Sequence, residues 1–444
     1  MKPIVAIVGR PNVGKSLLFN KLVGRRISIV EDTPGVTRDR IVADAEWRGR
    51  AFSLVDTGGI EPRTDDEMLK FMRRQAEIAI ENADVVIFIT DVRTGMTSAD
   101  ADVAIMLQKS KKPIILAVNK CDTPGPVSPD VYEFYNLGLG DPHAVSAMHG
   151  MGTGDLLDAC LEHFPPETED GLEPDVISVA IAGKPNAGKS SLINRILGHE
   201  RVIVSDVPGT TRDATDSYFE NKYGKYNFID TAGMRKKSKV NENVEYYSVL
   251  RAVMAIERAD VCLIMIDARD GVTEQDTKVA GVVHDAGKAC IIVVNKWDLI
   301  EKDTHTMDNM RDRIRVDLAF MQYAPIIFIS ALTGQRVERL FELIIYVAGQ
   351  NAMRVSTGML NDVLSDATAR VQPPSDRGKR LKLYYMTQTG VKPPHFVVFV
   401  NESKLFHFSY KRYIENQLRQ TFGFEGTPLK LTVRQKGEEK TGGF

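Results

Sequence analysis

The stretch Gly9-Arg10-Pro11-Asn12-Val13-Gly14-Lys15-Ser16 returns further along the chain as Gly183-Lys184-Pro185-Asn186-Ala187-Gly188-Lys189-Ser190. Both copies read G-x-x-x-x-G-K-S, the form of a phosphate-binding loop. Between Gly9–Asp39 and Gly183–Asp213, 17 of 31 aligned positions are identical, so the chain carries an internal repeat. Each loop follows a short apolar run (Ile4–Val8, Ile177–Ala182) and opens a helical pattern. Glycines let the backbone approach a polyphosphate, successive N–H groups form an anion nest, and the helix N-terminus adds partial positive charge. Lys15 and Lys189 are placed to reach the β- and γ-phosphates, and the Ser16 and Ser190 hydroxyls to ligate Mg²⁺.

At 444 residues the chain has room for about three domains. Its hydrophobic share of 43% and charged share of 26% are those of a soluble globular protein. Cys121, Cys160, Cys262 and Cys290 show no C-x-x-C spacing, which argues against a zinc site or a disulfide framework. No apolar stretch approaches the ~20 residues that span a bilayer, and residues 1–8 run straight into the first loop with no secretory signal. The expectation is a monomeric cytoplasmic protein with no membrane partner. The net charge of −2 hides an asymmetry: residues 351–444 hold 15 Lys and Arg against 8 Asp and Glu, leaving that segment at +7 and the rest at −9. A basic terminal module on acidic domains suits a polyanionic partner.

In the first unit the apolar runs Phe52–Val55, Val85–Thr90 and Ile114–Val118 alternate with helical stretches. Tyr226–Ile229, Val261–Ile266 and Ile291–Val294 repeat that scheme in the second. The alternation predicts two α/β domains, each a mostly parallel sheet with helices on both faces. They span residues 1–164 and 176–349, with residues 165–175 (three prolines and five acids) as an extended linker. Residues 350–444 contain no phosphate loop. They read as a helix over Ser356–Ala369, strands at Leu381–Met386 and Phe396–Val400, a helix over Ser409–Phe422 and a strand at Leu429–Val433: a small α+β domain.

Further boxes follow each loop at matching spacing. Thr33 and Thr37 both fall in the first candidate switch, but Val207 stands where the repeat would match Thr33, whereas Thr37 matches Thr211; each of that pair lies 21 residues beyond its loop serine. Thr37 and Thr211 are therefore assigned to close over Mg²⁺ and the γ-phosphate. Asp56-Thr57-Gly58-Gly59 and Asp230-Thr231-Ala232-Gly233 begin 40 residues after the same serines. Asp56 and Asp230 suit the Mg²⁺ shell, and the Gly59 and Gly233 N–H groups suit the γ-phosphate. Asn119-Lys120-Cys121-Asp122 and Asn295-Lys296-Trp297-Asp298 decide the base, because a carboxylate there accepts from guanine N1–H and its exocyclic amine, and adenine lacks that donor pair. Lys120 and Lys296 would cover the ring face, with the asparagines bracing the loop. Ser146-Ala147 and Ser330-Ala331 complete the set through backbone N–H groups facing guanine O6. The nucleotide implied is GTP.

Ile60 and Met234 directly follow the second box, where many GTPases place a water-orienting Gln. Neither side chain can orient water. Asn12 and Asn186 hold the fourth loop position, where an amide oxygen suits a monovalent cation beside the β/γ bridge and equally suits a bond to the loop backbone. The sequence leaves both roles open.

The ordered boxes G-R-P-N-V-G-K-S, P-G-V-T-R-D, D-T-G-G, N-K-C-D and S-A, repeated as G-K-P-N-A-G-K-S, P-G-T-T-R-D, D-T-A-G, N-K-W-D and S-A, resemble those of Era-like GTPases. Two such domains, an acidic linker and a small α+β domain resemble the Der (EngA) family over essentially the whole chain. The resemblance implies a KH-like fold for residues 350–444 and a GTPase assisting assembly of the large ribosomal subunit. It also implies Mg²⁺ dependence and potassium-stimulated hydrolysis through Asn12 and Asn186. In the last domain Gly423-Phe424-Glu425-Gly426 has the letters of a nucleic-acid-clamping G-x-x-G loop but falls between the last helix and last strand, with Glu425 facing phosphate unfavourably. Arg377, Lys379, Arg380, Lys382, Lys411 and Arg412 are the better candidates for RNA contact. The run Arg235-Lys236-Lys237-Ser238-Lys239, beside the second γ-phosphate box, is a candidate nucleotide-gated contact. A tRNA-modification GTPase would need a methyl-carrier-binding domain, which none of the three units offers; a structural RNA-binding protein with decayed sites is at odds with two complete box sets.

Overall fold

A computed structural model describes residues 2–23, 42–58, 65–123, 128–165, 176–199, 216–230, 244–376 and 378–435. These fall in two compact units.

The first unit is built on a six-stranded sheet of β1 (Ile4–Gly9), β2 (Val42–Trp47), β3 (Arg50–Asp56), β4 (Val85–Asp91), β5 (Ile114–Asn119) and β6 (His143–Ala144). Its order is β2-β3-β1-β4-β5-β6, parallel throughout except for edge strand β2. The unbroken apolar character of β1 has a simple cause, since side chains alternate across the sheet and both faces are covered. Ile4, Ala6 and Val8 join one core with Met72, Ala76 and Ala79 of the helix Asp65–Asn82 and Val103 and Leu107 of the helix Ser98–Lys109. Val5 and Ile7 join the other with Leu18 and Leu22 of the helix Lys15–Val23 and Leu156 and Cys160 of the helix Thr153–Glu162.

The helix Val244–Arg258 follows the second D-x-x-G box in sequence yet packs within this first unit. Its Leu250 and Met254 enter the core beside Met72 and Ala76. Arg251 pairs with Glu81 at 2.6 Å, and the Ser53 hydroxyl donates to Glu257 at 3.0 Å.

The second unit repeats the architecture with β7 (Val176–Ala182), β8 (Ser217–Asn221), β9 (Gly224–Phe228), β10 (Val261–Asp267), β11 (Ala289–Asn295) and β12 (Ile326–Phe328). The order β12-β11-β10-β7-β9-β8 is that of the first sheet read from its other edge. In both sheets the strand before the phosphate loop lies between two parallel neighbours reached by opposite crossovers. This is the switch point at which open α/β sheets bind ligands.

The same unit contains the last domain. After the two-residue strands β13 (Ser375–Asp376) and β14 (Lys379–Arg380) comes a sheet of β15 (Leu383–Gly390), β16 (His395–Val400) and β17 (Lys430–Gln435), with β15 antiparallel and β17 parallel to the central β16. The helices Thr357–Arg370, capped by the Ser356 hydroxyl, and Phe408–Phe422 cover one face: Leu360, Leu364, Ile414 and Leu418 pack on Met386, Phe396 and Val398.

The Gly423–Gly426 loop is part of the packing between this domain and the preceding α/β domain. Phe424 is fully buried, Gly426 accepts from the Cys290 N–H at 2.7 Å, and its own N–H donates to the Tyr323 carbonyl at 2.7 Å. A Cβ on Gly426 would stand 2.5 Å from a Val347 methyl. The Arg419 guanidinium lies 4.8 Å over the Tyr323 ring. The loop thus stands outside a nucleic-acid clamp for structural reasons as well as for the charge of Glu425.

Candidate guanine-nucleotide sites

Each candidate site gathers at the carboxyl ends of its strands. In the first loop Gly14 has φ +98°, and a Cβ there would lie 2.4 Å from the Asn119 side-chain nitrogen; Gly188, at φ +100°, meets Asn295 in the same way. The glycines are needed because the N-K-x-D asparagine is bonded across this gap. Asn119 Nδ2 donates to the Val13 carbonyl at 2.7 Å while its Oδ1 accepts from the Ala147 N–H at 2.9 Å. Asn295 makes the matching pair to Ala187 and Ala331, both at 2.9 Å. One buried amide therefore ties the phosphate loop, the base box and the S-A box together in each copy.

The loop lysines fold onto their own loops. Lys15 Nζ donates to the Gly9 and Arg10 carbonyls at 2.9 and 2.6 Å, and Lys189 Nζ to those of Gly183 and Lys184 at 2.6 and 2.7 Å. Burial lowers both amines to about 8, partly offset by Asp56 in one copy and Asp276 in the other. An ammonium desolvated this way is ready for an anionic partner.

The Ser16 hydroxyl donates to Asp56 at 2.7 Å, and Asp56 and Asp230 are both nearly fully buried. Hydroxyl and carboxylate oxygens meeting at the loop end of the strands fit a small hard cation such as Mg²⁺. The Gly58 N–H caps Asp56 at 2.8 Å and the Thr57 hydroxyl bonds the Ile7 carbonyl at 2.6 Å, which fixes the second box on β1. Thr37, Gly59, Ile60, Thr211, Thr231, Ala232, Gly233, Met234, Arg235–Lys239 and Arg377 lie outside the described residues.

Asn12 and Asn186 share φ +63°, a left-handed conformation that asparagine tolerates better than most residues. Both are exposed, and neither side chain hydrogen-bonds to its loop among the described residues.

The base pockets differ. Asp122 accepts from the Ser146 hydroxyl at 2.6 Å and is paired with Arg93 at 2.7 Å. In the second copy the corresponding Arg269 turns to Asp267 at 3.2 Å, and the buried Asp298 Oδ1 has no hydrogen-bond partner among the described residues. Ser146 N–H donates to Met151 and Ser330 N–H to Gln335, while the Ala147 and Ala331 N–H groups go to the asparagines. The N–H groups expected to face guanine O6 are all bonded within the protein, so contact with O6 requires one of these bonds to be shared or released.

Two carboxylates per site escaped the sequence reading. Asp91 and Asp267, at the ends of β4 and β10, hold Lys120 and Lys296 at 2.5 and 2.6 Å, with each lysine at positive φ. Burial alone would push Asp267 up, but Arg269 and Lys296 outweigh it and hold it near about 2. Asp100 and Asp276 close capping boxes with Thr97 and Thr273 and face the second loop residue: Arg10 pairs with Asp100 at 2.9 Å, and Lys184 with Asp270 at 2.9 Å and Asp276 at 3.7 Å. The signal was available, because both copies read T-x-x-D six residues after the strand-end Asp. It lies beyond the part of the repeat where identity is dense.

Two phosphate loops at sheet switch points, each tied to a base box, define a tandem P-loop GTPase with a small α+β domain behind it. A family described as "50S ribosome-binding GTPase" matches residues 4–120 and again 178–296, and one described as the KH-domain-like C-terminal part of EngA bacterial GTPases matches 354–434. GTPase Der of Acetivibrio thermocellus is 64% identical over 99% of this chain and 100% of its own length, and that of Caldicellulosiruptor saccharolyticus 58% over 99% and 100%. Among solved structures, Era bound to MgGDPNP and a 16S ribosomal RNA fragment aligns at 23% identity over 60% of this chain and 94% of its own, with a TM-score of 0.32. The chain belongs to the Der (EngA) family of GTPases, and its last domain is KH-like.

Proposed function

We propose that this protein is a nucleotide-dependent switch in assembly of the large ribosomal subunit, hydrolysing GTP at two sites. The observation that carries the reading is the duplicated box set with its asparagine bridge intact in both copies, joined to a basic KH-like domain; the "50S ribosome-binding" description of the matching family points to the same partner. The domains run 1–164, 176–349 and 350–444, joined by the 165–175 linker, and the protein acts as a cytoplasmic monomer. No described helix is long and apolar enough to cross a membrane.

In this reading Ser16, Thr37 and Asp56 in the first site and Ser190, Thr211 and Asp230 in the second would hold Mg²⁺, which would supply neutralisation of phosphate charge. Lys15 and Lys189 leave their loop carbonyls for the β- and γ-phosphates, and Asp122 and Asp298 read guanine. With Ile60 and Met234 unable to orient water, the exposed amides of Asn12 and Asn186 would hold K⁺, which would supply positive charge to the reacting phosphates. The exposure of both amides at the same left-handed loop position supports that role.

The test is co-sedimentation of the purified protein with isolated ribosomal subunits at several salt concentrations. The GTP-analogue form should travel with the large subunit and the GDP form much less, while a Lys236→Ala/Lys237→Ala variant should bind weakly in either state. Counterion release should make binding fall steeply with salt. Equal sedimentation in both nucleotide states would refute the switch.

A further inference from the structure

One face of the KH-like sheet is packed by helices; the other presents a row of side chains running across all three strands. Tyr385 on β15 stands opposite Phe399 on β16, which stands opposite Arg434 on β17. The Tyr385 and Phe399 rings stack with centroids 4.3 Å apart and planes 14° apart. Tyr385 is 41% exposed, and Tyr384 beside it 46%. The pair presents a flat aromatic face to solvent. The next rows on this face are Thr387–Val397–Thr432 and His395–Lys430, where His395 bonds the Thr432 hydroxyl at 2.7 Å.

The charge on this surface has one sign. The strands Leu383–Gly390, His395–Val400 and Lys430–Gln435 contain no Asp or Glu, and their charged residues are Lys430 and Arg434, both exposed. Lys382, also exposed, enters β15 beside them. Flat rings rimmed by cations and hydroxyls, with no acid on the strands, match a strand of unpaired nucleobases on a phosphate backbone.

We propose that this open sheet face binds single-stranded RNA. A base stacks on the outer side of Tyr385 and extends the Tyr385–Phe399 stack, while Arg434 and Lys430 lie along the phosphates. The site is separate from the Gly423–Gly426 loop, which is taken up in packing, and from the cations of the helix Phe408–Phe422. The proposal rests on the RNA-contact reading above and assigns it a surface.

The test uses the full-length protein and fluorescein-labelled ten-nucleotide homopolymer RNAs, read by anisotropy, with a duplex of equal length as control. The single strand should bind more tightly than the duplex. Tyr385→Ala should weaken it about 5- to 150-fold, the equivalent of one base stack, while Tyr385→Phe should retain binding. Arg434→Ala should weaken binding and lower the salt slope by about 1. Because Tyr385 and Arg434 are exposed and belong to none of the nucleotide boxes, these variants should fold and hydrolyse GTP as the parent does. Duplex binding as tight as single-strand binding, no oligonucleotide binding at low salt, or an unchanged Tyr385→Ala variant would each overturn the proposal. If Tyr385→Ala lost subunit association but kept oligonucleotide binding, the face would be a protein contact and the proposal equally wrong. Subunit co-sedimentation that survives Tyr385→Ala unchanged would sink only the sheet surface and leave the ribosomal reading standing.

Discussion

Asn295→Ala tests whether the amide bridge organises the second site. The substitution removes two hydrogen bonds of 2.9 Å and strands the Ala187 carbonyl and Ala331 N–H, both on buried residues. A buried group left unpaired costs about 1–3 kcal/mol, so the two together put about 2–6 kcal/mol into loosening the loop and the S-A box. Part of this is recovered where water reaches the gap, since the 2%-exposed Asn295 sits just under the surface. We expect GDP affinity at the second site to drop at least tenfold, a change of about 1.4 kcal/mol, with the first site unaffected. Asn119→Ala should mirror this at the first site. Calorimetric titration of each variant with GDP would resolve the two sites separately. Native affinity in Asn295→Ala, or equal weakening of both sites by either substitution, would show that the bridge does not organise its own pocket.

Three further outcomes are expected. Nucleotide phosphates should raise the Lys15 and Lys189 amines from about 8, so both are protonated in free and bound protein below that pH. Affinity should hold below pH 8 and fall above it by up to about tenfold per unit as the free amine loses its proton; a flat profile between pH 7 and 9.5 would contradict the lowered values. Turnover should be faster in potassium than in sodium at equal ionic strength, and Asn12→Ala and Asn186→Ala should each abolish that response at their own site while GDP affinity stays close to native. Arg93→Ala frees Asp122 from an exposed ion pair whose worth is at most about 1 kcal/mol, so first-site GDP affinity should rise by no more than about fivefold; a loss of affinity would mean that Arg93 contacts the nucleotide.

The repeat made most of the site legible. Two copies with the same spacings located β1 and β7 at the switch points, and the lysines, asparagines and glycines of the loops lie where those spacings put them. Strand ends moved by one to four residues, the most in Leu383–Gly390 against an expected Leu381–Met386, where the register shifts twice. Three features were hidden for physical reasons. Asp91 and Asp267 act through pairs with Lys120 and Lys296 far away in sequence, and the T-x-x-D signal of Asp100 and Asp276 lay past the dense part of the repeat. The packing of Val244–Arg258 beside Asp65–Asn82 pairs two amphipathic faces that periodicity describes but does not match to partners. The S-A backbone depended on a competitor, the asparagine amide, that a motif does not display. In the last domain the G-x-x-G letters described loop chemistry correctly, since Gly423 and Gly426 both adopt positive φ, but not the surface to which the loop is applied.

The bond from Cys290 to Gly426 also bears on edge exposure. Strand β12 is only three residues long and pairs with Ile292–Val294, so the start of β11 extends past it. Gly426 supplies the acceptor for Cys290 just where β12 falls short, and the Pro325 carbonyl serves Ile292 next to it. The KH-like domain therefore finishes the border of the GTPase sheet. Cutting the chain after residue 350 would open an apolar strand end that includes a thiol, and uncovered strand ends of this kind invite intermolecular pairing. Shortened versions of this protein should tend to aggregate for reasons unrelated to RNA, and the domain that looks most like a detachable accessory helps to keep its neighbour soluble.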